Sequence, residues 1–537
     1  MTSTARKLKD TRNKRANKFQ DNLSPMKTIE NRQSNDIFLG LCGFVGCGIK
    51  TVVDVTKEVA ESWGYNVIHI RISDLMKDEL YFEKSVIDAN LDNSIDRHLA
   101  MQHLGNELRR HYKRKELLSE AAIAAISTEK NKSTSSPDEA TVYIIDQLKR
   151  PEEIELFRVI YQHNFYLMGI LRDQEHRVRN LKEDGASKTD IPNIINVDDK
   201  SDDDYGQRTS QAILTSDFFI KNNQSQKKSL EHNIDRFFGL IHGQNGLTPT
   251  INEKGMYAAF SASLQSACLS RQVGAALFDD EGNLLAVGKN DVPKAGGGLY
   301  VSDDGEKDHR CVHKSGKCFN VSSKLKIKEK IEGILAKEIK DALPTNAEPS
   351  IELILKRLES KIPDITNKIY GGSKISSIME YSRSIHAEMD VITTMARKST
   401  EGTKGKILYT TTYPCHNCAR HIVASGIKKV VYIEPFEKSL ALDLHDDSIT
   451  KSEDSSKVIF TDFEGISPRR YSKFFMPTDE RKDESTGIAY KFNTKYKNHI
   501  DVQYLDSHRK YEDMVAQKFL SEVAKQDTSA QDGETTV

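Results

Sequence analysis

The chain has 537 residues, more than one hydrophobic core ordinarily serves, which excludes a single small module and points to two or three domains. Hydrophobic residues at 37%, with 20 Phe and 19 Tyr, suffice for packed cores and exclude wholesale disorder. Lysine and arginine total 78 against 79 acidic residues, and a net charge of −1 argues against attachment to nucleic acid by bulk charge.

In chain order, residues 1–35 carry nine Lys/Arg against three acidic residues, a net +6 with little apolar content, and read as a disordered basic arm. Asp36 to Cys42 is an apolar run ending in the glycine-rich stretch Gly43-Phe44-Val45-Gly46-Cys47-Gly48-Ile49-Lys50-Thr51, followed by Val52, Val53, Val55, Val59 and Trp63 at helical spacing. That is strand, glycine loop, helix. Further strands are expected at 66–70, 141–146 and 165–171 with helices between, which implies a parallel α/β sheet. The Asp-, Lys- and Ser-rich residues 180–210 read as a flexible loop, and 212–239 as the close of the first domain. A second domain begins near Asn252, with a helix over 257–269, a hairpin over 274–278 and 284–287, and strands at 406–411 and 429–433. Residues 476–537 form a polar extension whose end reads as disordered.

No run approaches the roughly 18 consecutive apolar residues of a membrane span, and no apolar segment follows the basic N-terminus, so a cytoplasmic protein is expected. Seven cysteines, an odd number spread along a long chain, suit a reducing compartment without disulfides.

The strongest chemical signal is His386-Ala387-Glu388 with Pro414-Cys415-His416-Asn417-Cys418, 25 residues lying between Glu388 and Pro414. It matches the HxE…PCxxC pattern of zinc deaminases. One imidazole and two thiolates supply three ligands to a zinc ion, one per chain, and leave the fourth position for a water that the ion acidifies. His386, Cys415 and Cys418 are the candidate ligands, and Glu388 the candidate catalytic proton carrier. A structural zinc site would want a fourth protein ligand. His309, Cys311, His313 and Cys318 gather more ligand-type residues, at a spacing that fits no zinc framework. Cys268 reads as core.

With Ser270-Arg271-Gln272-Val273-Gly274 upstream and Gly288-Lys289-Asn290-Asp291 between, the constellation resembles the deoxycytidylate deaminases over about residues 252–475. Gly296-Gly297-Gly298-Leu299-Tyr300, residues 434–441 and 465–471 resemble, more closely, bacterial anti-phage dCTP/dCMP deaminases with an N-terminal P-loop kinase-like domain. The resemblance implies a C-terminal cytidine deaminase-like three-layer α/β/α domain over 252–475 and a P-loop kinase-like regulatory domain over 36–245. It implies a dCTP/dCMP deaminase, a hydrolase acting on C–N bonds, that converts deoxycytidine nucleotides to deoxyuridine nucleotides and depletes dCTP in antiviral defence. Asn290 then matches the position that holds the sugar, for which an amide that both donates and accepts is suited. A homo-oligomer follows from the resemblance. Because an unrestrained enzyme of this kind harms its host, an inhibitory RNA or protein antitoxin is also expected.

A nucleotide's charge calls for basic readers, of which Arg271 and Lys289 stand beside the motifs; Lys294, Arg383, Arg469 and Arg470 are further candidates. The glycine loop departs from G-x-x-x-x-G-K-[ST] because Ile49 delays Lys50 and Thr51 by one residue, turning them about 100° along a helix. Gly43, Gly48, Lys50, Thr51 and Asp146, at the end of a strand like that of P-loop NTPases, are therefore weak candidates for nucleotide binding in the N-terminal domain. Two other functions remain open on sequence alone, an RNA- or single-stranded-DNA-editing cytidine or adenosine deaminase and an inert nucleotide-sensing protein.

Overall fold

A computed structural model describes residues 33–91, 96–132, 140–199, 203–223, 227–341, 349–373, 375, 378, 380–398, 401–436, 439–452, 456–476, 481–490 and 503–531. Residues 1–32 of the basic arm and 532–537 of the C-terminal end lie outside them. The strands in chain order are β1 (Gln33–Ser34), β2 (Ile37–Gly43), β3 (Asn66–Arg71), β4 (Thr141–Asp146), β5 (Phe165–Leu171), β6 (Phe218–Lys221), β7 (Gly274–Phe278), β8 (Leu284–Lys289), β9 (Ile407–Thr412), β10 (Lys429–Glu434), β11 (Ile449–Thr450), β12 (Val458–Asp462), β13 (Gly465–Ile466) and β14 (Gln503–Tyr504). The chain divides into two compact units, one of residues 1–250 with 464–537, the other of residues 251–463. No helix among the described residues is long and apolar enough to cross a membrane, and all seven cysteines are free.

In the first unit β3, β4, β2, β5 and β6 form a parallel sheet, as the alternation of apolar runs and helices predicts, in the order β13-β6-β5-β2-β4-β3. β2 and β5 are buried at every residue, so they read as continuous apolar runs and not as alternating ones. The Ile49–Ser62 and Lys227–Ile241 helices cover one face with Val52, Val55, Val59, Ile234 and Phe237. On the other, Phe38 stacks against Tyr143 and Tyr161, whose centroids lie 5.2 and 3.7 Å away.

In the first unit and at its boundary with the second, the structure differs from the sequence reading in three places. The 180–210 loop contains the Ile191–Asp199 helix, whose Ile194 and Asp198 are fully buried. The second unit ends at Phe463, because β13 pairs antiparallel with β6 and carries Ile466 into the first core, where Phe474 of the following Tyr471–Phe475 helix joins it. The polar extension includes the Leu505–Gln531 helix, which packs on the Leu117–Lys132 helix and buries His508, Glu512 and Phe519.

His508 sits 5.8 Å from the Phe38 and Tyr161 rings, and neither of its ring nitrogens has a hydrogen-bond partner among the described residues. Burial, with Lys130 and Arg509 adding to it, lowers its pKa from 6.5 to about 3. The unfolded chain therefore takes up this proton at a pH where the folded chain refuses it, and stability falls as pH drops from 6.5 toward 3. Burial raises the pKa of Asp36 and Glu512 nearby, and these titrate with the opposite sign, so the clean readout is a difference between proteins. His508→Phe should lose less thermal stability than the wild type between about pH 7 and about pH 5. A parallel loss would contradict this reading of His508.

Candidate metal centre

The second unit is a mixed sheet in the order β11-β12-β10-β9-β7-β8, with β7 antiparallel to β8 and β9 and the remaining pairs parallel. The Ala387–Lys398 and His416–Ala424 helices pack side by side on one face through Val391, Met395, Ala419 and Ile422. The first begins directly after His386. The second is capped by Cys415, whose Sγ accepts the Cys418 N–H at 3.4 Å, so both sulfurs belong to one turn. The helix expected over 257–269 runs instead over Ile251–Ser263. It stops where Ser263 Oγ donates back to Phe260 O and Ser266 Oγ is drawn to Asn290 O. Cys268 therefore lies beyond the helix, half-buried, and accepts a weak hydrogen bond from Ser384 Oγ at 3.6 Å.

His386 Nδ1 lies 3.4 Å from Cys415 Sγ and 3.3 Å from Cys418 Sγ, and the three donor atoms fall within 4.8 Å of one another. Tetrahedral zinc with ordinary Zn–N and Zn–S bonds holds such atoms about 3.6 Å apart, so the donor set fits that ion without rearrangement. Cys415, Cys418 and Glu388 are buried, and Glu388 Oε2 lies 3.6 Å from Cys418 Sγ. The Cys418 hydrogen bond brings the Cys415 pKa down to about 4 against the effect of burial, while the proton stays on Cys418. The Cys415 hydrogen bond lifts His386 to about 9 against burial. Burial raises Glu388, with the positive His386 pulling the other way.

The Ala387–Lys398 helix is seated by β8. A Cβ on Gly288 would stand 2.4 Å from Ala387 O and 2.7 Å from Val391 N, and Asp390 Oδ2 accepts the Lys289 N–H at 3.1 Å. The Asp291 carbonyl accepts the Ile385 N–H at 3.0 Å, fixing the residue before His386. Gly288→Ala should accordingly strain the fold by about 1–3 kcal/mol and push the helix off the two sulfurs. Metal content should fall while the circular dichroism spectrum is retained; full metal occupancy would show that the close approach is not needed.

The expected substrate readers are already engaged within the chain. Asn290 Oδ1 accepts the Val273 N–H at 2.7 Å and Nδ2 donates to Arg271 O at 2.8 Å. Lys289 Nζ donates to Gln265 O at 3.0 Å. Arg271, half-exposed, pairs with the Glu434 carboxylate and reaches Thr412 Oγ1 at 3.4 Å, at the ends of β10 and β9 beside the Pro414-Cys415 turn. Lys294 pairs with Asp304 at 2.8 Å, and Arg383 donates to His309 O at 3.1 Å. Arg469 and Arg470 belong to the first unit, where Arg470 pairs with Asp217 at 3.2 Å. Gly296, Gly297 and Gly298 all have positive φ and close a tight turn in which Gly298 O accepts the Lys294 N–H.

Among the described residues, His386, Cys415 and Cys418 are the only group of three or more ligand-type side chains close enough to share a metal. The 309–318 cluster does not converge. Cys318 Sγ meets Ser270 Oγ at 3.3 Å, His313 faces Asp308 at 3.3 Å, and Cys311 lies 3.9 Å from an Arg383 nitrogen. In the first unit Lys50 and Thr51 are exposed, Asp146 pairs with His69 at 3.4 Å, and Gly43 and Gly48 bracket the loop, Gly48 with φ +74°. The sequence reading missed Glu434 as partner of Arg271 and Gly288 as seat of the helix. Only the Gly288-Lys289-Asn290 run carried a signal for either.

Residues 249–434 match the family model described as cytidine and deoxycytidylate deaminase zinc-binding region. This supports a deaminase-type domain in the second unit, and the donor set is consistent with zinc. The deoxycytidylate deaminases of Enterobacteria phages T2 and T4 are each 44% identical over 55 residues, which are 10% of this chain and 29% and 28% of theirs. The chain thus spans less than a third of the length of these relatives. The apo dCMP deaminase of cyanophage S-TIM5 is 18% identical over 40% of this chain and 99% of its own, with a TM-score of 0.21, too low to define a shared fold.

Proposed function

We propose that the second unit is a zinc-dependent hydrolase that deaminates deoxycytidine nucleotides, dCMP or dCTP, to the corresponding deoxyuridine nucleotides. The observation that carries the reading is the convergence of three ligand atoms with one buried carboxyl, in a segment matching a deaminase zinc-binding region. His386 Nδ1, Cys415 Sγ and Cys418 Sγ would hold the ion. When bound, zinc supplies the Lewis acidity that makes water nucleophilic near neutral pH. Glu388 takes a proton from the attacking water at its carboxylate and delivers it to ring N3, then takes the proton of the new C4 hydroxyl and passes it to the departing amine as the C4 carbonyl forms. The C4–N bond breaks, a C4–O bond forms, and ammonia leaves. Burial of Glu388 favours its protonated form, which suits a group that must hold and return a proton.

Asn290, with one N–H and one lone pair still available, would meet a sugar hydroxyl. Arg271 would exchange Glu434 for a substrate phosphate. Lys289, held through its backbone by Asp390 and through its ammonium by Gln265, would position the Asn290 turn. In an infected cell such turnover would drain dCTP, and an inhibitory RNA or protein and a homo-oligomer belong to the same proposal by resemblance. The test is ammonia release from dCMP, dCTP and a cytosine-bearing oligonucleotide incubated with the zinc-loaded chain. Release from free nucleotides alone supports the proposal; release from the oligonucleotide alone assigns the site to editing instead.

A further inference from the structure

The glycine loop of the first unit is filled from within the chain. Val45 N–H donates to Asp198 Oδ2 at 2.7 Å. Lys149 Nζ donates to Asp198 Oδ1 at 2.7 Å and to Gly43 O at 2.8 Å, and Thr209 Oγ1 donates to Asp198 Oδ1 at 3.2 Å. Asp198 is fully buried. A carboxylate that takes a loop N–H, an ammonium and a hydroxyl makes the contacts that a phosphate oxygen makes in such a loop.

Two arginines border the loop. Arg177 Nε donates to Val45 O at 3.0 Å. Arg172 lays its guanidinium against Gly48, one nitrogen 2.4 Å from where a Cβ would stand, and its buried Nε has no hydrogen-bond partner among the described residues. Lys149 is thus the cation that Asp198 engages directly, with Arg172 and Arg177 at the edge of the loop. Lys50 and Thr51, which the sequence motif would assign to phosphate and Mg²⁺, are exposed instead.

We propose that this loop is a polyphosphate site whose cation is Lys149 and not Lys50, and that Asp198 holds it shut by occupying the phosphate position. A polyphosphate and the Asp198 carboxylate then compete for the same N–H and the same ammonium, and binding displaces the end of the Ile191–Asp199 helix. This inference stands apart from the deaminase reading.

Calorimetric titration of the full chain with MgATP and with pyrophosphate tests it. Asp198→Asn, which keeps the shape and removes the charge, should bind pyrophosphate, MgATP or both at least about tenfold more tightly than wild type. Adding Lys149→Met should abolish the gain. A gain for both ligands assigns recognition to the phosphates, and a gain for MgATP alone adds recognition of the nucleoside. Equal affinity of wild type and Asp198→Asn, or binding by neither, overturns the proposal. Should the variant unfold, amide exchange on the wild type decides: excess MgATP should speed exchange over residues 191–199, and unchanged exchange there overturns the competition.

Discussion

Glu388→Gln should retain its zinc and deaminate a deoxycytidine nucleotide about 10²- to 10⁴-fold more slowly than the wild type. The carboxyl lies 3.6 Å from Cys418 Sγ, on the helix that begins after His386, so the substitution leaves all three donor atoms in place. Glutamine preserves shape and hydrogen bonding but neither accepts the water's proton nor donates one to the ring. Cys415→Ala is the contrasting case, in which metal and activity fall together because a ligand is gone. A Glu388→Gln enzyme with full zinc and more than a tenth of wild-type turnover would remove Glu388 from the chemistry.

Glu512→Ala should destabilise the first unit by about 3–5 kcal/mol, read as an early unfolding transition in urea. Lys130 Nζ donates to Glu512 Oε2 at 2.8 Å with both side chains largely buried. The ammonium also lies 4.8 Å from the Phe38 ring centroid and 5.5 Å from that of Tyr143. Removing the carboxylate leaves the ammonium among aromatic side chains with only Asp36 Oδ2, 3.9 Å away, to answer its desolvation. Replacing both partners, as Lys130→Met with Glu512→Leu, should recover part of the loss, because only Asp36 is left and burial already favours its protonated form. If the double variant is as unstable as Glu512→Ala, the damage lies in packing of the helix and not in the orphaned charge.

Those same residues explain what the sequence concealed. His508, Glu512, Ala516 and Phe519 fall on one helical face, yet two of the four are polar, so the stripe reads as solvated until Lys130 is seen opposite it. Asp198 lies in an acidic run and resembles solvated linker, while its fixed place depends on Val45, Lys149 and Thr209 from three separate segments. By contrast β2, β4 and β5 were legible because buried parallel strands are written as unbroken apolar runs. The convergence of His386, Cys415 and Cys418 was legible for a different reason: two of them lie in one helix turn and the third stands two residues from Glu388, so local spacing alone encodes the cluster. Contacts such as that of Arg271 with Glu434, 163 residues away, leave no local trace.

The most direct measurement is zinc content set against ammonia release from dCMP and dCTP, followed as the metal is stripped and restored. The account predicts one zinc per chain, loss of deamination in proportion to zinc lost, and recovery when it is returned. Full deamination by chain stripped of zinc, or no deamination of either nucleotide by chain carrying one zinc each, would contradict it.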